Sequence, residues 1–373
     1  MTYFKYPDKH TPYLPLIVMY STFFVGANSI TKEVSCRQDG FRKRDFGEIL
    51  QGRYENMIDV CKKQNSPSSE TLSLCKHTVI WRKQEKIAMC PVYKSGTTSW
   101  IHHLIDLSFA KKETKESAKW MLINGGDRKV TVDTLSKYES PSEWARYVHS
   151  YGIKDAPYNI SGFIVVRHPF ERLVSTYRDK LESYSRSFFK QFARRVVEKY
   201  RKQAIREFGE DGFNRIRSFR NTIPESQNAQ NPKFETLIND SMLPTFWEFV
   251  QYVINDYEEI NDGEVYSHIR PIHKHCCVCD KNYQKIFRHI LKLEEMDTEE
   301  RRFIEFMPGW EAKIDLKQPK LNVQRPEQFS SEYITRLYFT QLSRDDVLRL
   351  YRLYNMDFLL FDYKLKFNNS SFS

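Results

Sequence analysis

Apolar positions along this chain fall into a few short continuous runs and several longer stretches with helical spacing. Residues 86–92, KIAMCPV, and 163–166, FIVV, are short apolar runs bounded by polar segments, the pattern of core strands. Each is followed by apolar residues at helical spacing, which predicts helices over 98–109 and 169–184. Pro169 stops the second strand at a position that suits the first turn of a helix. Residues 188–208 carry Phe189, Phe192, Val196, Val197 and Tyr200 as one stripe among many charges, which reads as a surface helix packed by one face. A helix over 245–254 turns Phe246, Phe249, Val250 and Val253 inward. Ser343, with Asp346 three residues on, caps a helix running to about Tyr354. Residues 358–361 form a last buried strand or core segment. Residues 221–243, rich in Asn, Gln and Ser and interrupted by Pro224 and Pro232, read as a long loop. Residues 31–84 are polar and weakly periodic and read as a stem running into the domain edge.

The first strand–helix junction reads Tyr93-Lys94-Ser95-Gly96-Thr97-Thr98-Ser99-Trp100. Gly96 lets the backbone approach an anion, and Thr97, Thr98 and Ser99 bring hydroxyls and N–H groups to the positive end of a helix. Lys94 adds a full charge. The nucleotide-triphosphatase loop is excluded, because its Gly-Lys-Ser/Thr ending is missing. The second junction, GFIVVRHPFERLVSTYRDK over 162–180, places Arg167 at the strand end and Ser175, Arg178 and Lys180 on the helix. Two such turns suit a ligand with two separate anionic ends.

The pair resembles the 5′-phosphosulfate and 3′-phosphate loops of sulfotransferases. RHPFERLVSTYRDK is similar to the R-x-P-F-x-R-L-x-S-x-Y/F-R-x-K form of the Golgi carbohydrate sulfotransferases, the family of chondroitin, dermatan, GalNAc and HNK-1 sulfotransferases. Residues 268–283, HIRPIHKHCCVCDKNY, resemble the family's H-W-x-P and C-x-P-C-x-x-x-Y, and residues 334–363 its C-terminal helix and strand. Two departures stand out. SGTTS replaces the family's usual V-A-C-T-N and is nearer the wider K-S-G-T-T loop, and Ile269 stands where the family has Trp.

The resemblance implies an α/β, P-loop-like sulfotransferase fold, a mostly parallel sheet flanked by helices, over residues 85–373. It implies 3′-phosphoadenosine-5′-phosphosulfate (PAPS) as co-substrate, no metal, and a glycosaminoglycan or glycoprotein glycan as acceptor. The FERLVSTYRDK form points to the 4-hydroxyl of N-acetylgalactosamine in chondroitin- or dermatan-type chains. Alternatives are an HNK-1-type glucuronate, an N-glycan GalNAc, or a catalytically silent glycan-binding relative. Tyr93, Lys94, Ser95, Gly96, Thr97, Thr98 and Ser99 would hold the 5′ end of the donor, and Arg167 and Ser175 its 3′-phosphate. Lys94 and His268 would be catalytic, His268 as general base; the alternative is that His268 only holds a turn. His102 and His103 are weaker candidates for the base, His168 is not expected to act, and Trp100 is expected to pack. A luminal kinase using the same loop would need an acidic metal ligand at a strand end, and Glu171 and Asp179 are the only nearby carboxylates.

The formal net charge of +10 favours acidic partners, and zinc-finger and RNP patterns are missing, so an acidic glycan suits it better than nucleic acid. Residues 13–25, YLPLIVMYSTFFV, extended weakly to 30, are near the lower limit of about 17–25 residues for a membrane span. They read as an uncleaved signal-anchor over 1–30 with the remainder in the Golgi lumen; a cleaved signal ending near Ala27 and a buried core segment are the alternatives. Sequons at Asn159, Asn239, Asn368 and Asn369 agree with a luminal, glycosylated chain. Seven cysteines fit a disulfide-permissive compartment with one thiol left over, and Cys276-x-x-Cys279 leaves a small opening for zinc.

Overall fold

A computed structural model describes residues 46–63, 78–82, 86–108, 160–182, 187–219, 243–257, 263–314, 316 and 329–365. The expected anchor, the four sequons and the 221–243 loop up to its last residue lie outside the described residues. Among the described residues, no helix is long and apolar enough to cross a membrane.

Four strands form one sheet in the order β1-β2-β3-β4: β1 Ile80–Arg82, β2 Ile87–Cys90, β3 Ser161–Val166 and β4 Phe287–Lys292. β1 pairs antiparallel with β2, while β2–β3 and β3–β4 are parallel, so the sheet is mostly parallel as expected. Side chains alternate across a strand, and the two faces of this sheet feed different cores. Ala88, Cys90, Ile164, Val166 and Ile290 join one. Ile87, Met89, Phe163, Val165 and Leu291 join the other.

Helices cover both faces. On the first lie α7 Ile272–Cys276 and α8 Lys281–Ile286, through Ile272, Cys276, Tyr283 and Ile286. On the second lie α2 Thr97–Ser108 and α9 Met296–Phe306, through Trp100, Leu104, Phe303 and Ile304. Trp100, 1% exposed, packs its ring 5.0 Å from Phe163 and 5.7 Å from Phe303. It thereby fixes α2 to the centre of the sheet, the packing role expected of it.

A third core is helical. It joins α3 Pro169–Tyr177, α4 Ser187–Ser218, α5 Phe246–Asp256, α10 Ser331–Phe339 and α11 Arg344–Leu360. α3 continues as a wider π-helical turn over Arg178–Glu182, and α4 breaks at Gly209 (φ 66°, ψ 167°). Thr245 and Glu248 form a capping box on α5, and Ser343 and Asp346 one on α11. α11 runs on to Leu360, so residues 358–361 end a helix rather than forming a strand; the core-segment reading holds for Phe358, Leu360 and Phe361. The helix outruns the end expected near Tyr354 because the polar Asn355 and Asp357, which suggest a stop, sit inside it; Asp357 is fully buried.

Within the expected stem, Phe46–Lys62 forms a regular helix, α1, that packs along the β4 edge. Phe46 and Leu50 enter one core, Met57 and Cys61 the other. An open strand edge leaves backbone groups unpaired, and α1 answers this chemically. Arg53 Nη1 donates to the Ile290 carbonyl (2.9 Å) and to Glu299, whose carboxylate accepts from Lys292 N (3.0 Å). Cys61–Cys279 then bonds α1 to the segment after α7, and Cys90–Cys276 bonds the end of β2 to α7. Cys277 is disulfide-bonded as well, and Cys276 and Cys279 have no thiolate left for zinc.

The Cys61–Cys279 bridge spans 218 residues, a separation for which chain entropy alone gives about 5 kcal/mol. Replacing both cysteines by serine is expected to cost about 2–4 kcal/mol and lower Tm by several degrees. Thermal unfolding followed by circular dichroism measures this, and an unchanged Tm would show that α1 is held by packing alone.

His289 on β4 is pushed down to about 4 by burial and by Arg288, and its Nε2 lies 2.7 Å from Ser161 Oγ. The unfolded imidazole titrates near 6.5, so the unfolded chain takes up the proton first as pH falls. His289 therefore adds a loss of stability between pH about 6.5 and 4, at up to ~1.4 kcal/mol per pH unit. His289→Asn should flatten that part of a urea-unfolding pH series; an unaltered slope would contradict it.

Candidate active site

β2 ends at Cys90 and the chain turns through 91–96 into α2. The turn needs two left-handed residues, Lys94 (φ 66°) and Gly96 (φ 76°). The second is a glycine, as such a conformation favours; the first is a lysine, which is held there against its intrinsic preference. Ser95 N donates to Val92 O (3.2 Å), and the Thr97 hydroxyl also donates to Val92 O. The Thr97 side chain therefore shapes the turn from inside, while Thr98 and Ser99 are half-buried. Ser95 is fully buried, and its Oγ has no hydrogen-bond partner among the described residues. The first N–H groups of α2 also lack intrahelical acceptors, so the turn is rich in donors.

The parallel pairing of β2 and β3, with Cys90 opposite Ile164, brings the second turn beside the first. Arg167 Nη1 donates to the Lys94 carbonyl (3.0 Å) and Nη2 to Ser331 Oγ at the start of α10 (2.9 Å). Glu171 lies 3.7 Å from its Nε. Ser175, half-buried, follows Glu171 by one turn of α3. His168 is taken up structurally, its N–H by Glu294 (2.7 Å) and its Nε2 by Lys364 O (3.2 Å).

Lys94 Nζ lies 3.2 Å from Asp179 on the π-helical turn, and Lys180 Nζ lies 2.9 Å from the same carboxylate oxygen. Burial holds the Lys94 ammonium below its ordinary range; Lys180 and Arg167 add to this, and Asp179 opposes it. Burial would push the Asp179 carboxyl up, but Lys94 and Lys180 outweigh it and hold it below the usual carboxylate range.

A third segment completes the site. α6 Gly263–Ile269 delivers His268, 3% exposed, whose ring centroid is 4.4 Å from that of Tyr93. Arg172, 1% exposed, reaches from α3 to the carbonyls of His268 (3.3 Å) and Arg270, and the Thr176 hydroxyl also donates to His268 O (3.2 Å). The helix that follows Arg167 thus also fixes the backbone of His268. The sequence does not mark His275 as a site residue, yet its Nε2 donates to Pro91 O (3.1 Å) and its ring is 5.9 Å from Tyr93. The signal that could have found it is the Cys276 beside it, bonded to Cys90 at the root of the turn.

Arg167 thus touches the Lys94 carbonyl, and the His268 ring lies against Tyr93, the neighbour of Lys94 in the chain. His102 and His103 lie buried on α2, and His103 Nε2 is 2.9 Å from Glu300, a contact with α9 rather than with this cluster. The arrangement offers donors and cations for two anionic groups and one imidazole near the first.

The model of the sulfotransferase family matches residues 76–364. Carbohydrate sulfotransferase 8 of mouse is 24% identical over 86% of this chain and 65% of its own length. Carbohydrate sulfotransferase 11 of rat is 24% identical over 85% of this chain and 76% of its own. Carbohydrate sulfotransferase 9 of human is 23% identical over 86% of this chain and 61% of its own. The chain thus spans about two thirds of the length of these relatives. No solved structure matches it.

A Cβ at Gly96 would meet Leu293 Cδ1 at 3.0 Å and would impose a left-handed conformation on an L side chain. Gly96→Ala should cost about 1–2 kcal/mol of stability and weaken anion binding at the turn. Chemical denaturation and inorganic pyrophosphate binding measure the two effects, and a variant equal to wild type in both would contradict the role given to the turn.

Proposed function

The chain belongs to the sulfotransferase family, and from that premise we propose that it transfers a sulfuryl group from PAPS to a hydroxyl of a glycan. The observation that carries this reading is the Arg167–Lys94 hydrogen bond, which holds the two donor-rich turns side by side, as a ligand with two anionic ends requires. The residues present fit such a donor: the buried Ser95 Oγ, without a partner among the described residues, and the glycine at 96, where a Cβ would be crowded, both belong to a cradle that accepts an anion. PAPS supplies an activated sulfuryl group between its 5′-phosphate and the acceptor.

The protein's own groups bind, orient and move a proton. Lys94 holds a positive charge beside the 5′ end, where negative charge grows during transfer. Backbone N–H groups of 96–99 and the hydroxyls of Ser95, Thr98 and Ser99 donate to the same end, with Tyr93 packed beside them; Thr97 and the Ser95 N–H act by holding the turn. Arg167 and Ser175 take the 3′-phosphate, the guanidinium offering a planar fork. His268 removes the proton from the acceptor hydroxyl, which is a poor nucleophile until then. Most of the catalytic effect is positioning and charge neutralisation, as in phosphoryl transfer.

The acceptor we favour is the 4-hydroxyl of N-acetylgalactosamine in chondroitin- or dermatan-type chains, on the form of the 170–180 segment. The disulfides support an oxidising compartment, and a Golgi-luminal enzyme held by residues 1–30 is consistent with them.

Adenosine-3′,5′-bisphosphate at about 100 times its Kd should add about 2.7 kcal/mol to the stability of the wild type and raise Tm by several degrees. Lys94→Ala should lose at least about 100-fold in kcat while remaining folded, a loss typical of removing one charge-stabilising group. Radiolabelled PAPS with a panel of chondroitin, dermatan, heparan and desulfated N-glycans tests the reaction and its acceptor together. No labelled glycan and no shift in Tm would overturn the reading; label in heparan alone would overturn the acceptor.

A further inference from the structure

Among the described residues, Asp179 is the carboxylate that pairs with Lys94, and it does so while also touching Lys180 through the same oxygen. It sits on the π-helical turn Arg178–Glu182 that follows α3, and such turns are frequent at functional sites. The three side chains are all largely buried, with side-chain exposures of 17% for Lys94, 23% for Asp179 and 12% for Lys180. A carboxylate between two ammonium groups can lose one and keep the other. An isolated ion pair, in contrast, leaves a bare buried charge when it opens, which is strongly unfavourable.

We propose that Asp179 is a positioning residue for Lys94: it holds the ammonium in place while the turn is empty, and passes to Lys180 alone when the 5′ end of the donor takes Lys94. This rests on the function proposed above. The charges facing Lys94 are consistent with it. Arg167 and Lys180 repel the ammonium, and Asp179 is the counter-charge that opposes them. The incoming phosphosulfate end carries two negative charges, one on the phosphate and one on the sulfuryl group, against one on Asp179, and displaces it. After transfer, the carboxylate competes for Lys94 again, which helps the bisphosphate product leave. Asp179 thus trades affinity for turnover, and its loss has the opposite sign to the loss of a ligand.

The test is calorimetric titration with adenosine-3′,5′-bisphosphate together with steady-state kinetics in PAPS. Asp179→Asn should tighten the bisphosphate about tenfold, lower KM for PAPS and lower kcat about tenfold as product release slows, a size set by removing one negative charge some ångströms from the ligand. Asp179→Glu, which keeps the charge, should restore kcat to within about threefold of wild type. Lys180→Met removes the group that receives the carboxylate, and should weaken the bisphosphate about tenfold. A merely structural Asp179 would give weaker binding and a raised KM in Asp179→Asn. That result, or unchanged constants, would overturn the proposal, as would a Lys180→Met protein that binds like wild type should Asp179→Asn not fold. If the wild type itself binds no bisphosphate, it is the sulfotransferase reading that fails.

Discussion

The site depends on one hydrogen bond between two turns, from the Arg167 guanidinium to the Lys94 carbonyl. Parallel pairing of β2 and β3 makes it available, because parallel neighbours end on the same side of a sheet. The bond does two things. It satisfies the carbonyl of the left-handed Lys94, and it orients a guanidinium that Ser331 and Glu171 also hold. A rigid spacing between two cationic ends follows from this, and a two-ended ligand needs that more than it needs any single strong contact.

Around this bond the supports are redundant. Trp100 pins the helix after the first turn to Phe163 at the centre of the sheet. Cys90–Cys276 and the His275–Pro91 hydrogen bond fix the root of that turn to α7. Asp357, fully buried, accepts from the N–H groups of Ile272 (2.6 Å) and His273 (2.9 Å) and so holds the start of α7. Arg172 ties the His268 backbone to α3. The catalytic candidates come from three distant stretches of chain, and each is held by a buried polar or covalent contact as well as by apolar packing.

Much of this was legible in the sequence, for identifiable reasons. β2 and β3 announce themselves because nearly every residue in them is buried, α5 because Phe246, Phe249, Val250 and Val253 form one inward stripe, and the cap at Ser343 because its chemistry is local. Strand β4, FRHILK, is not legible in the sequence: Arg288, His289 and Lys292 break its apolar run, and it is pairing with β3 that makes it a strand. α1 reads as stem because its polar residues outweigh its stripe; Arg53, one of those polar residues, hydrogen-bonds it to the β4 edge. At the site, Lys94, Arg167 and His268 could be named from motifs. Ser331, Asp179 and His275 could not be assigned their contacts, since each depends on a partner 85 or more positions away, and Asp179 also on a π-helical turn that no periodicity reveals.

The central claim is that the two turns act as one site for two anionic groups a fixed distance apart. Comparing adenosine-3′,5′-bisphosphate with adenosine 5′-monophosphate and adenosine 3′-monophosphate by calorimetry tests it most directly. The account predicts that the bisphosphate binds at least about 100-fold more tightly than either monophosphate, because each phosphate engages its own charged turn. A monophosphate that binds as tightly as the bisphosphate would show that only one turn is used, and would contradict the account.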